Sequence, residues 1–164
     1  MTGRQPWRLA VVSTVAALSV LAAGLAALAT QRVSHRHALD EAREGALAAA
    51  TNGAATMLSY DYRHLTADID KASALLTPRF RARYDKTMKD GVKPLAVKYH
   101  ARTSAAVTAA ASVSTATDRA VVLVFVAQTV SNSQLSADRL DRSRNNVTLV
   151  RRDGRWLIDN LSPV

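Results

Sequence analysis

Between Leu9 and Ala29 the chain runs LAVVSTVAALSVLAAGLAALA, with no charged residue and only Ser13, Thr14 and Ser19 as polar side chains. At about 1.5 Å rise per residue such a run makes a helix of roughly 31 Å, which matches the ~30 Å hydrocarbon layer of a bilayer. A helix satisfies its own backbone polar groups in lipid, and the three hydroxyls can bond back to preceding carbonyls. The competing reading is a cleavable signal peptide, with Arg4 and Arg8 as its basic region and Ala27-Leu28-Ala29 as its cleavage site. Its apolar core would normally span only ~7–15 residues, so a retained anchor is expected. Arg4 and Arg8 favour a cytoplasmic N-terminus, although Arg32 and Arg36 dilute the asymmetry. The expected division is a cytoplasmic tail over 1–8, a single transmembrane helix over 9–29, a stalk helix over 30–58 and an extracytoplasmic α+β domain over 59–164, in the plasma membrane. Ala17, Ala23, Gly24 and Ala27 would let another membrane helix approach closely.

The rest of the chain is basic and lacks cysteine, so neither disulfides nor thiolate metal sites are available to it. The whole sequence of 164 residues carries 22 Lys and Arg against 13 Asp and Glu. Only Arg4 and Arg8 of these lie before Thr30, so the excess belongs to the outer portion. Eight of the cations fall between Arg79 and Arg102, where the acids are Asp85 and Asp90. Arg139, Arg142, Arg144, Arg151, Arg152 and Arg155 form a second cluster. For a domain outside the cell, anionic headgroups or an acidic protein face are the fitting partners, and nucleic acid is not; a solvated face that keeps the domain soluble is the plainer alternative.

Leu39, Ala42, Ala46, Ala50, Ala54 and Met57 or Leu58 recur at three- and four-residue steps, the stripe of an amphipathic helix that Gly45 and Gly53 weaken without ending. Thr66 or Asp68 is expected to cap a short helix running to Leu76. Thr77-Pro78 starts another, in which Phe80, Tyr84 and Met88 share a face, and Gly91 and Pro94 are expected to close it. From Leu95 the pattern alternates through Val97, Tyr99, Ala101 and Thr103, then resumes over Val107, Ala109, Ala111 and Val113 after a small-residue bend. Ala120–Val130 is apolar on both faces, as in a central strand. Arg144–Val150 is the third strand, Asp153-Gly154 a hairpin turn, and Trp156–Leu161 the last strand. Helices first and strands after give an α+β fold, with helices packed on a curved antiparallel sheet of about four strands. Trp156 should be buried between the last strand and a helix.

The anchor, the Ala-rich stalk, Tyr60-Asp61-Tyr62, Leu75-Leu76-Thr77-Pro78-Arg79-Phe80, and the final pair Val147-Thr148-Leu149-Val150 and Asp153-Gly154-Arg155-Trp156-Leu157-Ile158 occur in one order. Together they resemble the Mce-associated membrane proteins of mycobacteria and related actinobacteria, over nearly the whole chain. The resemblance implies a single-pass membrane protein with an extracytoplasmic domain of the nuclear-transport-factor-2-like cone type. It also implies an accessory subunit that assembles or stabilises an Mce-type lipid import complex. The architecture is similar, in fold alone, to the periplasmic scaffold domain of type IV secretion systems.

Enzymes on such a cone place an Asp, His or Tyr inside its open end, which directs attention to Tyr60, Asp61, Tyr62, His64, Asp68 and Asp70. No convergence of an acid, a base and a tuning partner is visible among them, and a catalytic role is not expected. His100 alternates with Val97 and Tyr99 along the expected strand and reads as a solvent-facing or satisfied core histidine. His35 and His37 are two apart and would not share a helix face, so they are read as headgroup contacts rather than metal ligands. Asp68 and Asp70 are read as helix-start carboxylates rather than cation ligands. Neither a cofactor site nor a metal site is expected. A rival to the accessory-subunit reading is a membrane-tethered cone that holds a small apolar ligand or lipid. It predicts an enclosed apolar cavity between helices and sheet, and a solid packing there would remove it.

Overall fold

A computed structural model describes residues 36–164; the expected cytoplasmic tail, the transmembrane helix, the first residues of the stalk, Arg32 and His35 lie outside them. Among the described residues no helix is long and apolar enough to cross a membrane. The compact unit is Leu39–Val164. Helix α1 occupies 36–57. It is followed by β1 (Tyr60–Asp61), α2 (Leu65–Ser73), α3 (Pro78–Thr87), a π-helical turn (Met88–Val92) and α4 (Lys93–Tyr99). Four long strands complete the chain: β2 (Arg102–Thr115), β3 (Arg119–Ser131), β4 (Arg139–Arg152) and β5 (Arg155–Pro163). All five strands form one antiparallel sheet in sequence order. The α+β class is as expected, but the sheet has a fifth member, because Tyr60-Asp61 pairs with Thr103-Arg102. A strand of two residues has no periodicity for a sequence pattern to reveal.

The stripe on α1 is the inner face of the domain. Ala42, Ala46, Ala50 and Ala54 are fully buried and Met57 nearly so. Ala46, Ala50 and Ala54 pack into one cluster with Val122 and Val124 of β3, Val147 and Leu149 of β4, and Ile158 of β5. The two glycines of α1 do more than weaken it. A methyl group on Gly45 would lie 2.9 Å from Trp156 Nε1, and one on Gly53 would collide with Ile158 Cδ1. Small residues therefore let the helix lie close enough for β5 to seat its two large side chains on it. Trp156 is half-buried in this contact rather than enclosed.

The α3 start is as expected: Thr77 is the N-cap, its Oγ1 accepts from Phe80 N–H at 3.3 Å, and Pro78 opens the helix. The start of α2 differs. His64 occupies the cap position without a side-chain bond, Thr66 and Asp68 lie inside the helix, and its last residue is Ser73. Between the helices, residues 75–77 dock on the last strand: Ile158 N–H donates to Leu75 O and Thr77 N–H to Ile158 O, each at 2.9 Å. This covers part of an edge that would otherwise expose unpaired backbone.

The largest departure follows Met88. Gly91 and Pro94 do not end the helical path, and Leu95–Tyr99 is helix rather than strand. A π-helical turn widens the backbone at Gly91, and Pro94 then sits in the first turn of α4, where a missing N–H costs no intrahelical bond. The segment ends at His100, which takes the left-handed conformation (φ 51°), and Ala101 N–H closes onto Ala96 O at 2.8 Å. His100 is thus a helix terminus and not a strand residue. β2 then runs unbroken from Arg102, with bulges at Thr108 and Val113 in place of the expected bend. Such bulges add local twist and bend the strand. β3 is central, but only Ala120, Val122, Val124 and Val126 are buried; on its other face Phe125 remains 38% exposed. Asp153 and Gly154 both have positive φ (49° and 76°), as the tight β4–β5 turn requires.

Ala50→Leu should destabilise the domain by about 1–3 kcal/mol in urea unfolding, because the fully buried stripe has no room for three more carbons. Ala48→Leu, on the exposed side of the same helix, should stay within about 0.5 kcal/mol. Equal effects would contradict the assigned face.

Candidate functional site

Two open clefts flank Tyr60, which lines both together with Thr103. The first is lined mostly by polar side chains and takes in three of the acid–base candidates, Tyr60, Asp61 and Asp68. Asp61 and Asp68 do come together here: Asp61 N–H donates to Asp68 Oδ2 at 3.0 Å. Both carboxylates are already engaged. Arg63 Nη2 lies 2.6 Å from Asp61 Oδ2, with Arg102 Nε 4.0 Å from the same oxygen, and Lys71 Nζ lies 4.0 Å from Asp68 Oδ1. The hydrogen bonds from Arg63 hold the Asp61 carboxyl well below the usual carboxylate range. A group so firmly ionised is a weak base and cannot serve as a general acid near neutral pH. His64 and Asp70 are exposed, and neither lines this cleft. Tyr62 stacks on His100 with ring centroids 4.8 Å apart, tying the end of β1 to the terminus of α4. The Tyr60–His64 element therefore closes the domain edge, with Tyr60 and Tyr62 packed on the small core around Leu65, Met88, Ala96 and Ala101.

The second cleft lies between α3, the π-helical turn and the core face of the sheet, with a volume of about 640 Å³. Met57, Leu58, Phe80, Met88, Val130 and Leu161 supply most of its apolar wall. Tyr84 belongs to it as well: its hydroxyl donates to Met57 O at 3.2 Å, and burial pushes its pKa up to about 12, so it stays neutral. The space between helices and sheet is thus not packed solid, but it is an open cleft rather than the enclosed cavity that the ligand-holding alternative predicts. The shared face of Phe80, Tyr84 and Met88 was legible in the sequence. Arg83, Arg139 and Leu161 were not, because they arrive from α3, β4 and β5 only through the register of the fold.

Many surface cations have no carboxylate within ion-pair distance among the described residues. Arg79 pairs with Asp159 and Arg139 with Asp141, whereas Lys86, Lys89, Lys93 and Lys98 do not pair. Arg81 and Asp85 do not pair with each other; both engage Ser73, Arg81 through its carbonyl at 2.7 Å and Asp85 through its hydroxyl. On α4 the lysines sit beside Leu95 and Val97, which are 57% and 50% exposed. His37 is exposed on α1.

These features define an α+β domain with helices on one face of a five-stranded antiparallel sheet, an apolar cleft on the core side of that sheet and its clearest carboxylate candidate locked in ion pairs. Solved structures of the same fold include an IcmL-like type IV secretion system protein from Legionella pneumophila (TM-score 0.61, 10% identity, 72% of this chain and 90% of that one). They also include the periplasmic domain of DotI (TM-score 0.61, 11% identity, 72% and 91%) and CagV, a VirB8 homolog from Helicobacter pylori (TM-score 0.58, 7% identity, 72% and 95%). At these identities the likeness is one of fold. The chain belongs to the family described as "Uncharacterized protein Rv1363c/MT1408-like", whose model matches residues 9–162. It is similar to "Outer membrane protein Rv1973" of Mycobacterium tuberculosis, with 40% identity over 123 residues, 75% of this chain and 76% of that protein. It is also similar to "Uncharacterized protein Rv1362c" of the same organism, with 36% identity over 123 residues, 75% of this chain and 56% of that protein.

Asp159 joins β5 to the start of α3, accepting from Thr77 Oγ1 at 2.8 Å and from Arg79. Burial works to raise its pKa, but these bonds outweigh it and leave the carboxyl below its ordinary value. The unfolded chain therefore binds this proton more readily, and the stabilisation is present above about pH 4 and fades as pH falls through the folded value. Asp159→Asn should cost about 1–3 kcal/mol at pH 7. The gap between the two proteins in denaturant midpoint should narrow as pH drops below 4; a constant gap would mean that the charge is not what matters.

Proposed function

We propose that this chain is a membrane-tethered, non-enzymatic accessory subunit that assembles or stabilises an Mce-type lipid import complex in the cell envelope. The observation that carries the reading is the coupling of an uncharged 21-residue run at Leu9–Ala29 to a VirB8-like domain whose clearest carboxylate candidate is spent on ion pairs. The resemblance of the motif order to that of Mce-associated membrane proteins supports the choice of complex. An envelope location is supported by the name of the mycobacterial relative, an outer membrane protein, and by neighbours that are periplasmic domains. On this reading the run over 9–29 holds the chain in the plasma membrane, N-terminus inside, and Leu39–Val164 works outside.

The contacts to partners run through the anchor, the exposed side of α1 and the basic surfaces of the domain. Unpaired lysines beside exposed Leu95 and Val97 suit an anionic headgroup layer, at a typical ~1 kcal/mol per basic residue close to the surface. The same charges suit an acidic face on a transporter subunit.

A tagged full-length chain, solubilised in mild detergent and captured, should bring down Mce transporter components identified by mass spectrometry. Capture of none, under conditions in which those components hold one another together, would contradict the proposal.

A further inference from the structure

The apolar cleft has a charge pattern that the accessory-subunit reading does not explain. Its volume of about 640 Å³ falls within the ~300–1,000 Å³ typical of small-molecule sites. Two ionised side chains line it, Arg83 and Arg139, and no Asp or Glu does. Arg139 is shared with Asp141 at 2.8 Å. Arg83 has no carboxylate within ion-pair distance among the described residues; it bonds only Asn160 Oδ1, at 3.4 Å, and lies 5.2 Å over the Phe80 ring. Asn160 and Phe80 line the same cleft, so the guanidinium stands where apolar wall meets polar mouth. A neutral hydrocarbon or sterol would leave this charge unused, and a cationic ligand would be repelled by it. Tyr84, held neutral by burial, adds no negative charge.

We infer that this cleft binds a single-chain anionic amphiphile, its tail among Met57, Phe80, Met88, Val130 and Leu161 and its carboxylate or phosphate head on Arg83. Guanidinium presents paired donors to either head, and a charge-assisted bond at the edge of an apolar site is stronger than a neutral one. The inference does not require membership of any import complex. It concerns what the cone itself holds.

The full chain in phosphatidylcholine nanodiscs can be photolabelled with diazirine-bearing palmitic acid and with diazirine-bearing lysophosphatidic acid, using diazirine-bearing hexadecanol as the uncharged control. Mass spectrometry then locates the label. At least one acidic probe should mark peptides carrying Met57, Met88 or Leu161; if only one does, it names the head as carboxylate or phosphate. Arg83→Gln should lower that labelling by about tenfold, the usual effect of losing a charged hydrogen bond. Arg83→Lys should restore part of it. Thr87→Trp, which obstructs the mouth from an exposed position, should lower it with the circular dichroism spectrum unchanged. Cleft labelling by hexadecanol as strong as by the acids, label confined to residues 9–29, or labelling unaffected by Arg83→Gln would each overturn the inference.

Discussion

Everything in this domain depends on how closely helix α1 can lie on the sheet. Its inner face is made of alanine and glycine, so the helix adds little apolar volume of its own and instead provides a smooth bed. The sheet supplies the bulk: Val122, Val124, Val147, Leu149 and Ile158 are all within 1% of complete burial. A larger residue at Ala46, Ala50 or Ala54 would have to lift the helix off those side chains, with loss of dispersion contacts along its length. The same closeness fixes β5, because Trp156 and Ile158 rest on the two glycines. The last strand in turn holds the α2–α3 junction through the Leu75, Thr77 and Asp159 bonds.

That chain of dependence explains where the cleft is. Once α1 covers β3, β4 and β5 and α3 is pinned to β5, Phe80 and Tyr84 of α3 are turned toward the core face of the sheet but do not fill it. The π-helical turn carries the helical path onward into α4 instead of letting the chain fold back across the opening. Phe80, Tyr84 and Met88 then form one wall and Val130 and Leu161 the other. Three of the polar side chains near this end of the domain have structural work. Asp61 and Asp68 knit the short β1 edge to α2, and His100 ends a helix by adopting a conformation that few side chains accept.

The helix stripe, the Thr77-Pro78 start, the central place of β3 and the Asp153-Gly154 turn could be read from the sequence because each rests on a local rule with a period or a dihedral preference behind it. Leu95–Tyr99 reads as a strand but is helix, because five residues are too few to separate alternation from a helical turn and because Pro94 starts a helix here where proline more often ends one. β1 was missed for want of length. The roles of Gly45 and Gly53 required knowing which side chains face them, although their spacing of eight along a small-residue face is a signal of close approach. The cleft could not be read at all. Arg83, Arg139 and Leu161 are far apart in sequence and meet only because the strand registers bring them to one place.

The packing of α1 on β5 can be observed directly. Ile69 and Ile158 are the chain's two isoleucines, so selective isotopic labelling of the isoleucine δ1 methyl groups of the full chain gives two signals, separable by an Ile69→Val variant. The Ile158 δ1 methyl should show strong nuclear Overhauser effects to the Gly53 α-protons. An Ile158 methyl with no cross-peaks to α1, in a sample whose sheet signals are otherwise intact, would contradict the account.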